Sequence, residues 1–195
     1  MSIANIRGEM MKRRLPEVLT PEETKRLLAT PNRRYRTGNT QYLTMRLSLE
    51  TGMRISELTN LKRKDINFLT GKTLIKISKN KKDRTSWISI ETREELLKYW
   101  EMIGESKYCF SNLSGEKLLN SNLRRSIKKK GGRCGIERIH YHLLRHTSLT
   151  NIYTEKKDIR LVQQIAGHQS INTTMIYTAI SGELIKDTLL TNTYN

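Results

Sequence analysis

Apolar residues recur at three- and four-residue spacing along most of the chain, the pattern of helices that each bury one side. The first clear element opens at Thr20-Pro21-Glu22-Glu23. A threonine cap, a proline at the first helical position and a glutamate at the third suit the free backbone N–H groups of a helix start. Leu27, Leu28 and Ala29 supply its buried side, and Pro31-Asn32 stop it. A second helix is expected over about 40–50, where Leu43, Met45, Leu47 and Leu49 form a broad apolar face and Gly52 is placed to end it. A short helix follows through Ile55, Leu58 and Leu61. The period then drops to two. Residues 73–78 (TLIKIS) and 85–90 (TSWISI) alternate apolar and polar, and between them runs Lys79-Asn80-Lys81-Lys82-Asp83-Arg84. This stretch predicts an antiparallel β-hairpin with a very basic turn. Helical spacing returns over about 91–103, 119–130, 142–154, 158–166, 171–178 and 182–190, with Gly131-Gly132 and Gly167 expected to break it. Pro16, Pro21 and Pro31 are the only prolines, so nothing later in the chain obstructs helices. The fold class predicted is mainly α with a small antiparallel β-sheet.

Composition bears on the partner more than on the fold. The 195 residues carry 36 Lys and Arg against 19 Asp and Glu, a formal net charge of +17. A polyanion relieves such self-repulsion, which makes nucleic acid the first candidate and an anionic membrane surface the second. No run approaches the ~18 apolar residues of a membrane helix. Residues 1–15 read as a basic arm or linker remnant without the apolar segment of a secretory signal. Cys109 and Cys134, the only cysteines, are too few for a disulfide scaffold or a four-cysteine zinc site and fit a reducing cytoplasm. On the helix expected at 119–130, Arg124, Arg125, Lys128, Lys129 and Lys130, with Arg133 beyond, form a cluster without an acid, and Leu123 and Ile127 lie behind them. Many such runs are merely solvated, but with this overall excess the helix is expected to press one face on DNA, and Arg84 is counted with it.

Three segments hold candidate chemistry. In Thr51-Gly52-Met53-Arg54-Ile55-Ser56-Glu57-Leu58, Arg54 opens a short helix, where an anion would meet a guanidinium and a helix N-terminus together, and Glu57 could hold that guanidinium. In His140-Tyr141-His142-Leu143-Leu144-Arg145-His146, helical spacing puts His142, Arg145 and His146 on one side. The histidine pair could bind zinc, although Leu143 stands where metalloproteases carry their glutamate base; the other reading is that Arg145 clamps a phosphate and His142 hydrogen-bonds it. In the third segment Gly167 ends a helix, His168 sits in the connection, Ser170 can cap the next helix and Tyr177 follows about two turns on.

Taken together, Arg54, then His142-x-x-Arg145, then His168, then Tyr177 nine residues later resemble the tyrosine recombinase (phage integrase) family. The matching text is TGMRISEL, HYHLLRHTSLTNIY and LVQQIAGHQSINTTMIYT, and with the opening PEVLTPEE the resemblance covers about 16–180. It implies the DNA breaking-rejoining catalytic-domain fold and strand cleavage by transesterification. Arg54 and Arg145 would present donors to the non-bridging oxygens of the scissile phosphate. Tyr177 would attack phosphorus and form a 3′-phosphotyrosyl bond, with His142 as its base and His168 hydrogen-bonding the phosphate. The family's general-acid lysine lies in a hairpin turn. Lys79 fits that position best; since the usual glycine-lysine-glycine here reads Ser78-Lys79-Asn80, Lys81 and Lys82 nearby stay as alternatives. His140 and His146 are assigned to structure, with His146 close enough to the arginine to support it. No metal, ATP or other cofactor is expected.

The partners implied are double-stranded DNA, further copies of the chain in a tetramer on DNA (weak or monomeric without it) and an accessory DNA-bending protein, with no membrane, in the cytoplasm at the nucleoid. Residues 181–195 carry Leu184, Ile185, Leu189 and Leu190, an amphipathic segment too small to fold alone. The resemblance implies that it docks into a neighbouring protomer; packing on its own domain is the alternative. Only about 15 residues precede the catalytic domain, where most members carry a separate helical domain, so a naturally short or truncated form is expected. The function implied is site-specific DNA recombination. Alternatives are a catalytically silent DNA-binding regulator of the same fold, or a type IB topoisomerase or telomere resolvase.

Overall fold

The computed structural model of the chain describes residues 16–76 and 83–182. The expected arm at 1–15, Lys79 with Lys81 and Lys82, and most of the 181–195 tail lie outside the described residues.

Helix α1 (Pro21–Ala29) starts as its sequence predicts: Thr20 Oγ1 accepts from the Glu23 backbone N–H at 3.1 Å, and Glu23 Oε2 accepts from the Thr20 N–H at 2.9 Å. Helix α2 (Arg36–Thr51) begins earlier than expected and ends at Gly52, whose φ of 60° is the left-handed conformation that a glycine adopts without strain. Helix α3 (Ile55–Asn60) follows, then a 3-10 turn at Arg63–Asp65. Strands β1 (Lys72–Ile75) and β2 (Arg84–Trp87) pair antiparallel with Lys72 opposite Trp87 and Ile75 opposite Arg84, and an isolated bridge from Ile66 to Thr73 adds to the other edge of β1. Alternation works as the period of two requires: Thr73 and Ile75 of β1 and Arg84 and Ser86 of β2 face inward. Helices α4 (Ile90–Ile103), α5 (Asn120–Arg133), α6 (Tyr141–Lys156) and α7 (Ile159–Ala166) complete the main body.

Helix α2 is central, packed on both α4 and α6. Its fully buried Leu43, Met45 and Leu47 join Leu58, Leu96, Tyr99, Phe110, Ile127 and Leu144 in one core. A smaller second core holds Leu149 of α6, Val162 and Ala166 of α7, and Tyr177 and Ile180. The candidate site lies where these bodies meet, and α7 also touches β2.

Two expectations need correction. Gly131-Gly132 do not break α5, which continues to Arg133. A Cβ on Gly131 would fall 1.9 Å from Ile139 Cγ2 and 2.6 Å from the Ile136 carbonyl oxygen, so this glycine serves close approach of two segments and not chain reversal. The expected helix at 171–178 is a 3-10 turn (Ile171–Thr173) followed by a separate helical segment over 176–182. Gly167 does end α7, at φ 62°.

Candidate active site

Arg145 of α6 is 4% exposed and ties two helix ends together. It donates through Nη1 to the Gly52 carbonyl at the end of α2 and through Nη2 to the Ala166 carbonyl at the end of α7, 2.8 Å away. Arg54, at the N-cap position of α3, reaches the next carbonyl, that of Gly167, at 3.4 Å through Nη2. Two guanidiniums from segments 91 positions apart in the chain therefore converge on one turn. Glu57 anchors Arg54 as their spacing implies: Oε1 takes Nη1 at 3.0 Å and Oε2 takes the Arg54 backbone N–H at 2.8 Å. Burial, together with repulsion from Arg54, holds the Arg145 guanidinium down at about 10, still charged at neutral pH.

His168 stands in the same turn. Its Nε2 lies 3.2 Å from Arg145 Nη2 and its Nδ1 lies 3.0 Å from Thr174 Oγ1. A guanidinium only donates, so Nε2 accepts and the ring proton sits on Nδ1, facing Thr174. Burial and the neighbouring arginines push His168 down to about 4, so the ring is neutral at pH 7. Tyr177 is 1% exposed, its ring stacked on that of His168 with centroids 6.4 Å apart and planes 10° from parallel. Its hydroxyl lies 3.3 Å from His146 Nδ1. Burial raises the phenol above its ordinary range although Arg145 and Arg54 pull it down, so it is protonated at neutral pH and needs an acceptor.

The imidazole that meets the phenol here is that of His146, whereas His142 is the residue expected as its base. His142 is exposed and has His140 as its ring neighbour, 6.5 Å away between centroids. His146, one turn further along α6, makes the phenol contact, and burial pushes it to about 4. The sequence signal was present, since His146 shares a helix side with His142 and Arg145; deciding between them requires knowing where residue 177 arrives. His140 caps α6, accepting at Nδ1 from the Leu143 N–H at 3.2 Å. Among the described residues no three His, Cys, Asp or Glu side chains are grouped as a metal site requires.

The basic helix is only partly as expected. On α5, Leu123 and Ile127 are buried while Arg124, Arg125, Lys128, Lys129 and Arg133 are exposed. Lys130 is not on that face: it is 6% exposed and donates to the Thr30 carbonyl at 3.2 Å. Arg84 is not there either. Strand alternation turns it inward, where it is 9% exposed and pairs with Glu57 Oε2 at 2.7 Å. His142 is held below its ordinary range by desolvation first and then by the positive charge of Arg145.

A mainly helical domain with a two-stranded antiparallel hairpin, gathering two arginines, two histidines and a tyrosine at one turn beside an exposed basic helix, defines a tyrosine-recombinase-type catalytic domain. The chain belongs to the phage integrase family, whose model matches residues 17–183. It is 34% identical over 176 residues to a tyrosine recombinase of Pseudothermotoga lettingae, a match covering 90% of this chain and 60% of that protein. It is 34% identical over 187 residues to the tyrosine recombinase XerA of Pyrococcus furiosus, covering 93% and 64%. The chain thus spans about three fifths of the length of these curated relatives. Among solved structures, the crystal structure of XerA recombinase superposes with a TM-score of 0.79 at 27% identity, over 95% of this chain and 68% of that one. The XerH site-specific recombinase bound to palindromic difH substrate in a post-cleavage complex gives 0.78 at 28% identity, over 90% and 53%.

Proposed function

We propose that the chain is the catalytic domain of a site-specific DNA recombinase that cleaves and rejoins duplex DNA through a 3′-phosphotyrosyl intermediate. The observation that carries this reading is the meeting of Arg54 and Arg145 on the adjacent carbonyls of Gly167 and Ala166, with the Tyr177 ring stacked on His168 beside them. Two fixed guanidiniums suit a phosphodiester whose charge grows in the pentavalent transition state, because preoriented donors need not reorganise as that charge develops.

In the step proposed, the Tyr177 oxygen bonds to phosphorus as the bond to the 5′-oxygen breaks. The phenol proton passes to His146, which is neutral in the ground state and within reach. The 5′-oxygen takes a proton from Lys79, which lies in sequence between β1 and β2. Rejoining runs the same steps backward with a 5′-hydroxyl from another strand, so the bond energy is kept in the covalent intermediate. His142 hydrogen-bonds the phosphate, and His168 holds Arg145 toward it by accepting from its Nη2. The exposed Arg124, Arg125, Lys128, Lys129 and Arg133 hold the duplex backbone. Assembly is proposed as a tetramer on DNA, with the tail beyond residue 182 docked into a neighbour and an accessory protein bending the site; Ser181 itself is buried against Thr154 of its own domain.

The test is a covalent-adduct gel on nicked suicide duplexes tiled across the DNA that flanks the encoding gene. Wild type is expected to give a protein–DNA band that survives denaturant, and Tyr177→Phe to bind DNA without it. A wild-type chain that binds these duplexes but never becomes attached would replace this reading with the silent-regulator one.

A further inference from the structure

Arg84 takes no part in the steps above, yet it lies directly behind them. Its Nη2 donates to Glu57 Oε2, while Nε and Nη1 are buried with no acceptor among the described residues. Its side chain runs beneath Gly167: a Cβ on that glycine would stand 3.0 Å from Arg84 Cδ, 3.2 Å from Arg84 Nε and 3.6 Å from Arg54 Nη1. Arg54 and Arg84 therefore flank one glycine and share one carboxylate, Glu57, itself only 7% exposed.

The charges explain what a buried guanidinium does there. Glu57 alone beside Arg54 would place Arg54 well but cancel its positive charge at the position where a phosphate must bind. With Arg84 on the far oxygen of Glu57, the three groups keep a net charge of +1, and Arg145, which has no carboxylate partner among the described ion pairs, brings the cluster to +2. Burial and repulsion from Arg54 both oppose the charge on Arg84, and Glu57 sustains it. Two buried donors without acceptors are costly, and an apolar side chain at the same place in β2 would avoid that cost.

We propose that Arg84 is a positioning residue for strand cleavage: it holds Glu57 and offsets its charge, so that Arg54 is clamped by a carboxylate without losing its pull on the scissile phosphate. The inference rests on the recombinase reading and assigns a role that the exposed basic face does not share.

The experiment uses the full chain on the suicide duplex that wild type cleaves, measuring adduct formation in a single turnover at saturating DNA and, separately, DNA affinity. Arg84→Met is expected to slow adduct formation roughly tenfold or more with affinity unchanged, because the loss lies in the transition state. Arg84→Lys, which keeps the charge, should retain most of the rate. Arg84→Met with Glu57→Gln removes the uncompensated carboxylate and should be faster than Arg84→Met alone, a recovery that a merely structural role does not produce. The proposal is overturned by an Arg84→Met rate equal to wild type, by a double variant no faster than the single one, or by a lysine variant as slow as methionine. Should Arg84→Met fail to fold, judged by circular dichroism, the lysine and double variants still decide. Absence of any wild-type adduct sinks the recombinase reading and this inference with it; a wild-type adduct with an unaffected Arg84→Met sinks this inference alone.

Discussion

Gly131 and Gly132 are neighbours in the last turns of α5, and alanine should move them in opposite directions. Helix propensity alone favours alanine at both by about 0.5–1 kcal/mol. At Gly132 nothing lies within 4 Å of the added Cβ, so that gain should be realised. At Gly131 the Cβ would come 1.9 Å from Ile139 Cγ2, 2.8 Å from Ile139 Cβ and 2.6 Å from the Ile136 carbonyl oxygen. The last contact is backbone, and the Ile136 N–H already donates to the Gly131 carbonyl at 2.8 Å, so relief requires moving the segment that leads into α6. Overpacking of this kind costs about 1–3 kcal/mol, which leaves Gly131→Ala less stable by about 1–2 kcal/mol after the propensity gain. For a chain of this size each kcal/mol shifts Tm by about 2–4 °C. Thermal unfolding by circular dichroism should therefore show a loss of about 2–8 °C at 131 and a small rise at 132. Ile139→Ala combined with Gly131→Ala should be less damaging than the sum of the two singles, because they share one contact. Equal stability of the two alanine variants, or a rise at 131, would refute the close-approach argument.

Other expectations follow from the site and its surroundings. Lys79→Ala should cripple cleavage of ordinary DNA and recover on a bridging 5′-phosphorothiolate, whose sulfur leaves without a proton; recovery of Lys82→Ala instead would reassign the general acid. Arg124→Glu with Lys128→Glu should weaken DNA binding and flatten its salt dependence, each lost phosphate contact removing about 0.9 from the log–log slope, whereas Lys130→Ala should lower Tm and leave that slope alone. His146 and His168 are held at about 4 in the folded chain, below their ordinary value, so the unfolded chain binds more protons in the window between. Stability should therefore be constant above about pH 6.5 and fall as pH drops from there toward 4, and replacing both histidines by asparagine should flatten the fall; an unchanged slope in that double variant would contradict the assignment.

Much of the architecture was legible because it is encoded locally. The Thr20–Glu23 box and the Gly52 and Gly167 terminations each depend on residues a few positions apart, and they appear as expected; the hairpin forms too, but over shorter strands and with Trp87 outward and Arg84 and Ser86 inward. The order Arg54, His142, Arg145, His168, Tyr177 was equally readable, because the identity of those side chains declares their chemistry wherever they stand. Which of them touch was not readable. The phenol meets His146 and not His142 because the 176–182 segment is carried to α6 by the second core. Arg84 and Lys130 look like members of a basic surface in the linear text, yet strand alternation turns the first toward Glu57 and a carbonyl 100 positions away draws in the second. Gly131 reads as a helix breaker until Ile139 is placed against it. Local hydrogen bonding and side-chain period are properties of neighbours in sequence, so the sequence alone determined most of the elements and named the candidate reactive groups. Burial, pairing and protonation depend on groups brought together from distant segments, and only the tertiary packing decided those.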